Sequence, residues 1–351
     1  MKETASPLVS SIIHAIGRTP LVELNQIKKA YSLEGRLLAK CEYLNPGFSK
    51  KDRIALEMLR EAQHRGELRP GQTVVELTSG NTGTGLALVC RAMGHPFVAV
   101  ISKGNTIERA RMMQALGAEV VRVDQAPGSP PNQVSGEDLA LVEERTREIV
   151  TDRAAFRSDQ FLLEGNVLAH QRYTGPEIWE QSEGSVDIFV DFVGTGGSFT
   201  GIMRALREKN PAIDGYVIEP ATAPSLAGGP VTRKSHRIQG GGYSKEHLPL
   251  LDTSLVSDYL QATDEEAMEA ARMLAREEGI FGGFSSGANL AGALQLLKSN
   301  PGKTIAFLIC DSGLKYLSTD LYPSGRCPAT PAGSPQKFDR SPTLHSEKRN
   351  I

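Results

Sequence analysis

The 351-residue sequence has few cysteines, and their arrangement excludes two common kinds of site. Its four cysteines stand at positions 41, 90, 310 and 327, with no CxxC pair and no spacing typical of metal ligands. We therefore expect neither disulfides nor a bound metal. Cys41, Cys90 and Cys310 lie in apolar segments, where a free cysteine is most often a small core residue. This usage is typical of a reducing cytoplasm.

The sequence also lacks strong charge and any long apolar run. A formal net charge of −2 at pH 7 gives no reason to expect nucleic acid or an anionic membrane as partner. No run approaches the roughly 20 apolar residues that span a bilayer, and the N-terminus shows no apolar core of a secretory signal. A composition of 40% hydrophobic and 23% charged residues is that of a globular protein of roughly two domains.

Strand-like and helix-like segments alternate over most of the chain. "QTVVEL" precedes the helical "GTGLALVCRAMG" and then "PFVAVIS", and "SVDIFVDFV" precedes "GSFTGIMRALREKN". Continuous apolar strands separated by helices predict an α/β fold with parallel sheets covered on both faces. Residues 124–136, rich in Pro, Gly and Ser, predict a loop, and residues 323–351 predict a disordered tail.

Three loops of small residues follow predicted strands. "ELTSGNTGTG" (76–85) leads into a helix and suits an anion, although a plain tight turn has the same pattern. "VGTGGSFTG" (193–201) fails as a dinucleotide fingerprint because Phe199 stands where glycine is required, and it suits a single phosphate group better. "GGFSSGANL" (282–290) places Ser285 and Ser286 at a helix start, where serine is most often an N-cap.

A pair of lysines lies at one strand–helix junction, in "NPGFSKKDR" (45–53). Such lysines are either solvated charges or the source of a reactive amine. A phosphate-type loop without the GK[ST] of nucleotide sites, together with a candidate Schiff-base lysine, indicates pyridoxal phosphate rather than a nucleotide.

With these motifs the chain resembles the fold type II pyridoxal-phosphate enzymes, in particular cysteine synthase and the catalytic core of cystathionine β-synthase. The resemblance covers about residues 10–322 and also rests on "GRTPLVEL", "HQRYTGPEIWEQ", "IQGGG" and "CDSGLKYLST". It implies a tryptophan synthase β-like fold of two three-layer α/β/α domains with mostly parallel sheets. Residues 1–45 and 155–322 would form the larger, cofactor-phosphate domain. Residues 46–154 would form a smaller, mobile domain that carries the substrate loop.

The resemblance assigns site residues one at a time, with pyridoxal 5'-phosphate as cofactor. Lys51 matches the Schiff-base lysine, Asn81 the partner of the cofactor's phenolic oxygen, and Ser285 the hydroxyl at the pyridine nitrogen. The phosphate loop matches Gly194, Thr195, Gly196, Gly197 and Ser198. The substrate side matches Thr78, Ser79, Gly80, Thr82, Gln160 and Gly240.

The reaction that the resemblance implies is β-replacement on an activated serine, such as O-acetylserine or O-phosphoserine, with sulfide or another nucleophile. It would proceed through the Lys51 Schiff base and an aminoacrylate. The alternatives are β-elimination to pyruvate and ammonia, a minimal cystathionine β-synthase, and a non-catalytic homologue that binds the cofactor for structure. Departures such as Gly47 and Phe48, in place of Thr-Gly, cluster on the substrate side and leave both substrates open. The expected partners are a small amino acid, a small nucleophile and a second copy of the chain in a homodimer.

Lys50 stands where relatives carry a small apolar residue. Neighbours on a helix point about 100° apart, so only one of the two lysines faces the cofactor. The register against Ser49, Asp52 and Arg53 selects Lys51. We expect Lys50 to be solvated, and the alternative is that it lowers the pKa of Lys51.

Overall fold

The computed structural model describes residues 8–129 and 134–323. The strands are β1 (Leu21–Glu23), β2 (Arg36–Lys40), β3 (Val74–Leu77), β4 (Phe97–Ser102), β5 (Glu119–Val123), β6 (Phe156–Arg157), β7 (Ile188–Phe192), β8 (Asp214–Pro220), β9 (Asp258–Ala262) and β10 (Thr304–Leu308). The α-helices are α1 (Asn25–Ala30), α2 (Lys51–His64), α3 (Asn81–Met93), α4 (Ile107–Ala115), α5 (Gly136–Asp152), α6 (Gly165–Ala169), α7 (Gly175–Gln181), α8 (Gly197–Lys209), α9 (Asp264–Glu278) and α10 (Phe284–Ser299). Short 3₁₀ turns at Ile12–Ala15, Glu42–Leu44, Thr253–Leu255 and Gly313–Tyr316, and a π-helical turn at His170–Thr174, complete the described elements.

The strands form two sheets, and both are dominated by parallel pairing. The larger sheet has the order β1-β2-β10-β7-β8-β9, and the smaller has the order β5-β4-β3-β6. Only the pairing of β1 with β2 is antiparallel among the described strands. Parallel neighbours need helical crossovers between them, which explains the alternation along the chain. The predicted α/β fold with mostly parallel sheets is confirmed.

Each sheet is covered by apolar side chains on both faces. Along β10, Ile305 and Phe307 join one core cluster, whereas Ala306 and Leu308 join the cluster on the opposite face. The alternation follows from the period of two along a strand. The smaller sheet has one core cluster that contains Val74 of β3 and another that contains Val75 and Leu77. Two sheets with a core on each side give the three-layer arrangement that the sequence predicts.

Strand β6, the loop at residues 124–136 and the tail lie at the edges of the predicted domains. Strand β6 pairs with β3 in the smaller sheet, although it lies just past residue 154, where we expect the smaller domain to end. The domain boundaries themselves stay a prediction. The predicted tail lies outside the described residues apart from Pro323, as do residues 130–133 of the predicted loop.

The described cysteines agree with the sequence analysis, since Cys41, Cys90 and Cys310 are free and buried. Cys327 lies outside the described residues. In the part of the chain that the structure describes, no helix combines the length and apolarity needed to cross a membrane.

Candidate active site

The predicted site residues gather at the carboxyl ends of parallel strands from both sheets. The segment Thr78–Thr82 follows β3, Gly194–Ser198 follows β7, and Cys310 and Asp311 follow β10. Asn81 donates its amide hydrogen to Asp311 Oδ2 at 2.7 Å and so joins the two sheets. Ligands of parallel α/β folds bind at this edge, which makes the junction of the two sheets the candidate active site.

The lysine segment is fixed by backbone contacts against the end of β10. The backbone N–H of Lys50 donates to Cys310 O at 2.9 Å, and that of Ser312 donates to Phe48 O at 3.1 Å. Helix α3 packs tightly from the other side, because a Cβ at Gly85 would lie 2.9 Å from the carbonyl oxygen of Lys51. Lys51 is thereby held as the first residue of α2.

Lys50 is buried and ion-paired, so the expectation that it is solvated is wrong. Only 7% of the residue is exposed. Its Nζ lies 3.1 Å from each carboxylate oxygen of Asp191 and 2.9 Å from Ser198 Oγ. Burial alone would lower the pKa of Lys50, but the Asp191 carboxylate raises it above the ordinary value. Lys50 therefore carries its charge inside the site.

The Lys51 amine differs from that of Lys50 both in its partners and in the direction in which its pKa is shifted. Lys51 is half-buried. Among the described residues, the three buried lysines have paired amines: Lys40, Lys50 and Lys315. Lys51 Nζ makes no hydrogen bond or ion pair within residues 8–129 and 134–323. Burial, followed by the charge of Lys50, lowers the pKa of Lys51 to about 8. An unpaired amine with a lowered pKa is what a nucleophilic lysine requires.

The loop after β3 brings together residues that lie far apart in sequence. Thr82 donates its hydroxyl hydrogen to Gln160 Oε1 at 2.6 Å. Ser79 is half-buried. The Thr78 hydroxyl accepts hydrogen bonds from the backbone N–H groups of Gly80 and Gly83, both at 2.9 Å. Thr78 therefore shapes the turn, because its hydroxyl oxygen accepts two backbone hydrogen bonds within it.

Three helices that point into the site begin without a hydrogen bond from the side chain of the N-cap residue. Their N-cap residues are glycines, at Gly80 for α3, Gly196 for α8 and Gly283 for α10. By contrast, α5 and α9 begin with complete capping boxes. In α8 the Gly197 N–H donates to Thr195 Oγ1 at 3.3 Å. Among the described residues, the N–H groups of Ser198 and Phe199 have no such partner and are left to a ligand, which is the arrangement that binds phosphate at helix N-termini.

The glycine-rich loop leaves no room for side chains at several of its positions, Gly194 and Gly197 among them. A Cβ at Gly194 would lie 2.5 Å from Gly240 O, and one at Gly197 would overlap the side chain of Asn166. Asn166 also donates to Gln160 O at 2.7 Å and to Thr195 Oγ1 at 3.0 Å. It therefore links the substrate side to the phosphate-type loop.

Ser285 lies in the first turn of α10 and is not its N-cap, which is Gly283. The Ser285 hydroxyl is a hydrogen-bond neighbour of the Cys310 thiol, whose pKa burial raises to about 11. Ser286 Oγ instead accepts the backbone N–H of Cys310 at 3.0 Å. Of the serine pair, only Ser286 is fully buried.

A cavity of about 240 Å³ opens beside these loops. Its lining includes Ser79, Gly240 and Tyr243. Gly240 has φ of +97°, and the space that a Cβ would occupy there is empty. The cavity gives a small molecule a place next to the predicted substrate residues.

Sequence reasoning missed several residues of the site, among them Asp191, Asn166 and Asp311. Asp191 had a signal: it is the one acidic residue within the apolar run "IFVDF", and a buried carboxylate needs a partner. Asn166 and Asp311 had none, since nothing near them in the sequence indicates which loops they join.

Comparisons with a family model, with known sequences and with solved structures all indicate the same family. The family model described as "Pyridoxal-phosphate dependent enzyme" matches residues 12–311. The chain is 42% identical to cysteine synthase 3 of Caenorhabditis elegans over 88% of each chain. It is 36% identical to cystathionine beta-synthase of Apis mellifera, over 89% of this chain and 61% of that protein. The solved structure of O-acetyl serine sulfhydrylase isoform 3 from Entamoeba histolytica superimposes with a TM-score of 0.83, at 32% identity and with 93% and 96% of the two chains covered.

The predicted resemblance is thereby confirmed, and so is the cofactor that it implies. The chain belongs to the family of pyridoxal-phosphate dependent enzymes and is an enzyme of the cysteine synthase type.

Proposed function

We propose that the protein replaces the leaving group on the β-carbon of an activated serine, with O-acetylserine as first substrate and sulfide as nucleophile. The products are cysteine and acetate. The names of the similar proteins, cysteine synthase 3 and O-acetyl serine sulfhydrylase, support this choice. The observation that carries the proposal is the unpaired Lys51 amine, with its lowered pKa, between a small-residue loop and a glycine-rich loop.

The residues at the site fit pyridoxal phosphate. Gly194–Ser198 and the uncapped start of α8 would hold the phosphate, Asn81 the phenolic oxygen and Ser285 the ring nitrogen. A serine hydroxyl at that nitrogen, in place of a carboxylate, would leave it largely unprotonated and favour elimination and replacement at the β-carbon. When bound, the cofactor supplies an aldehyde that combines with an amine and a ring that accepts electron density from the α-carbon.

Lys51 would act first as the amine that holds the cofactor and then as a base. Only the neutral amine does either, and a pKa of about 8 leaves roughly a quarter of the lysine neutral at pH 7.5. An ordinary lysine, with a pKa near 10.4, would be neutral in only about one molecule in a thousand. Once released from the cofactor, the neutral Lys51 amine would be the base that accepts the α-proton of the substrate.

The substrate carboxylate would bind at the start of α3. Thr82 and Gln160 are already hydrogen-bonded there, and the partly exposed Ser79 lies at the edge of the cavity. Helix N-termini favour a negative charge. In this proposal Thr78 contributes through the shape of the turn and Gly240 through the open space beside it.

The attachment of the cofactor tests the role of Lys51. The purified protein would be loaded with pyridoxal phosphate, reduced with borohydride and fragmented for mass spectrometry. We expect the added mass on Lys51 in the wild type and in Lys50→Met, and on neither lysine in Lys51→Ala. Attachment to Lys50 would show that the assignment of the two lysines is wrong.

Product analysis tests the reaction. We expect O-acetylserine and sulfide to give cysteine and acetate in equal amounts. Pyruvate and ammonia formed at the same rate with and without sulfide would instead identify an elimination enzyme. Turnover of neither O-acetylserine nor O-phosphoserine would refute the proposal.

We also propose that the protein works as a homodimer in the cytoplasm. The buried free thiols fit a reducing compartment. Several large apolar side chains remain exposed on the single chain, among them Leu44, Leu162 and Leu317. Light scattering of the purified protein measures the oligomeric state directly.

A further inference from the structure

A buried charge pair lies directly beside the candidate nucleophile. Lys50 Nζ contacts both oxygens of Asp191 at 3.1 Å and Ser198 Oγ at 2.9 Å. The Ser198 hydroxyl in turn donates to Asp191 Oδ2 at 2.5 Å. Asp191 is fully buried and Lys50 nearly so. The three side chains form a closed triangle at the end of β7.

The triangle is joined to the opposite end of the site. Asn289 in α10 donates to Asp191 Oδ1 at 3.3 Å and to Cys310 Sγ at 3.4 Å. The Cys310 thiol in turn neighbours the Ser285 hydroxyl. A chain of polar contacts therefore runs from Ser198 in the phosphate-type loop to Cys310.

Stability alone does not explain the pair. Apolar side chains of similar volume often replace a buried ion pair without loss of stability, because desolvation offsets the attraction. What distinguishes this pair is its position: its cation is the residue before Lys51, and its hydroxyl partner belongs to the glycine-rich loop.

We propose that Lys50 and Asp191 form a fixed charge pair that orients Ser198 in the phosphate-type loop and holds a positive charge on the residue that precedes Lys51. Both are positioning residues, and the inference rests on the proposed function of Lys51. Asp191 keeps Lys50 charged inside the protein, and Lys50 disfavours a second positive charge on its neighbour. The effect of Lys50 on the pKa of Lys51 exceeds the opposing effect of Asp191.

The first test measures the reactivity of Lys51 without the cofactor. The apoenzyme would be labelled with trace acetic anhydride between pH 6 and pH 10, and mass spectrometry would give the labelling of Lys51 at each pH. The variant is Lys50→Met/Asp191→Asn, which removes both charges and leaves no unpaired ion. The matched control is Lys303→Met/Asp187→Asn, at an exposed pair with the same 3.1 Å distance.

We expect Lys51 in Lys50→Met/Asp191→Asn to be labelled about threefold more slowly at pH 7 than in the wild type, with the labelling midpoint moved to higher pH. The control should keep the wild-type profile. Circular dichroism would verify that both variants are folded, and Lys50→Met alone should shift the profile in the same direction. Identical Lys51 profiles in the wild type and the double variant would overturn the proposal. The apoenzyme assay reports on the charge pair even if the cofactor were attached elsewhere, so its failure is distinct from failure of the proposed function.

The second test addresses Ser198. Dissociation constants for pyridoxal phosphate and for pyridoxal would be compared in wild type and Lys50→Met/Asp191→Asn. If the pair orients Ser198, the preference for the phosphorylated form should fall about threefold or more in the variant. The Ser198 hydroxyl is held by the pair, so loss of the pair would displace the backbone N–H of Ser198 at the start of α8 and weaken the hydrogen bond of that N–H to phosphate. An unchanged preference would contradict the positioning of Ser198.

Discussion

Thr82 donates its hydroxyl hydrogen to Gln160 Oε1 across 2.6 Å, although 78 positions separate the two residues. The other end of the amide is also fixed, because Gln160 Nε2 donates to Leu77 O at 3.3 Å. Both side chains are buried, with 3% and 6% exposed. The start of α3 and the segment after β6 therefore hold one amide in a single orientation at the proposed carboxylate site.

Replacing Thr82 by valine should weaken substrate binding more than catalysis. Thr82→Val keeps the shape of the side chain but leaves Gln160 Oε1 buried without a donor, which costs about 1–3 kcal/mol. We expect KM for the amino-acid substrate to rise about tenfold, while kcat changes less. Steady-state kinetics at saturating sulfide measures both.

Thr84→Val is the matched control on the same helix. The Thr84 hydroxyl donates to Gly80 O at 2.9 Å, but that carbonyl also accepts the backbone N–H of Thr84 at 2.8 Å. No buried group loses its only partner, so KM should stay close to the wild-type value. An equal rise of KM in both variants would contradict a specific role for Thr82.

Replacing Arg53 in α2 by lysine should make the protein less stable. Its guanidinium binds Glu42 through Nε at 2.7 Å and Nη2 at 2.8 Å, and it binds Glu177 through Nη1 at 2.8 Å and Nη2 at 2.7 Å. A lysine ammonium cannot reproduce this planar set of donors. We expect Arg53→Lys to lower the free energy of unfolding by about 2–4 kcal/mol, measured by urea unfolding.

The exposed pair of Arg145 with Glu148 serves as the comparison, since each side chain is about half exposed. Arg145→Lys should change the free energy of unfolding by less than about 0.5 kcal/mol. A similar loss in the free energy of unfolding for Arg53→Lys and Arg145→Lys would show that burial does not strengthen the contribution of the Arg53 contacts.

The sheets were predictable because their strands are apolar on both faces. "TIAFL" in β10 and "IFVDF" in β7 are buried at every residue, and such runs indicate parallel strands between two layers of helices. The antiparallel β1 was not predictable in this way, because its three residues are too few to show a pattern.

The loops of the candidate site were predictable from their small residues, but the contacts between loops were not. Gly80 and Gly196 have φ of +123° and +85°, a local backbone requirement that glycine in a sequence indicates. The partner of Lys50 is Asp191 in β7, 141 positions away, and only the tertiary structure brings the two together. Lys50 was therefore misjudged as solvated, although the lone Asp191 in an apolar strand indicated a buried cation.

Glu76 in β3 should make the protein less stable as pH rises. The residue is fully buried, and burial, followed by the charge of Asp159, raises the pKa of its carboxyl well above the ordinary value of 4.5. A raised folded-state pKa contributes stability that is complete below the unfolded pKa and is lost as pH rises through the folded value. Glu76→Gln lacks this titration and keeps an oxygen for the backbone N–H of Gln160, which now lies 3.4 Å from Glu76 Oε1.

We therefore expect Glu76→Gln to gain stability relative to the wild type as the pH is raised from 4.5 to 8, in thermal unfolding of the apoenzyme. Glu219→Gln is the contrasting variant. Burial raises the pKa of Glu219 as well, but its two oxygens accept the N–H groups of Leu226 at 2.8 Å and Ala227 at 2.9 Å. A glutamine amide would place its NH₂ group next to one of those N–H donors, with no acceptor between them. Glu219→Gln should therefore be less stable than the wild type throughout the range from pH 4.5 to pH 8. Both carboxyls are buried, so the two variants differ mainly in the hydrogen bonds that the amide can make. A more stable Glu219→Gln or a less stable Glu76→Gln would show that these hydrogen bonds do not decide the effect of the substitution on stability.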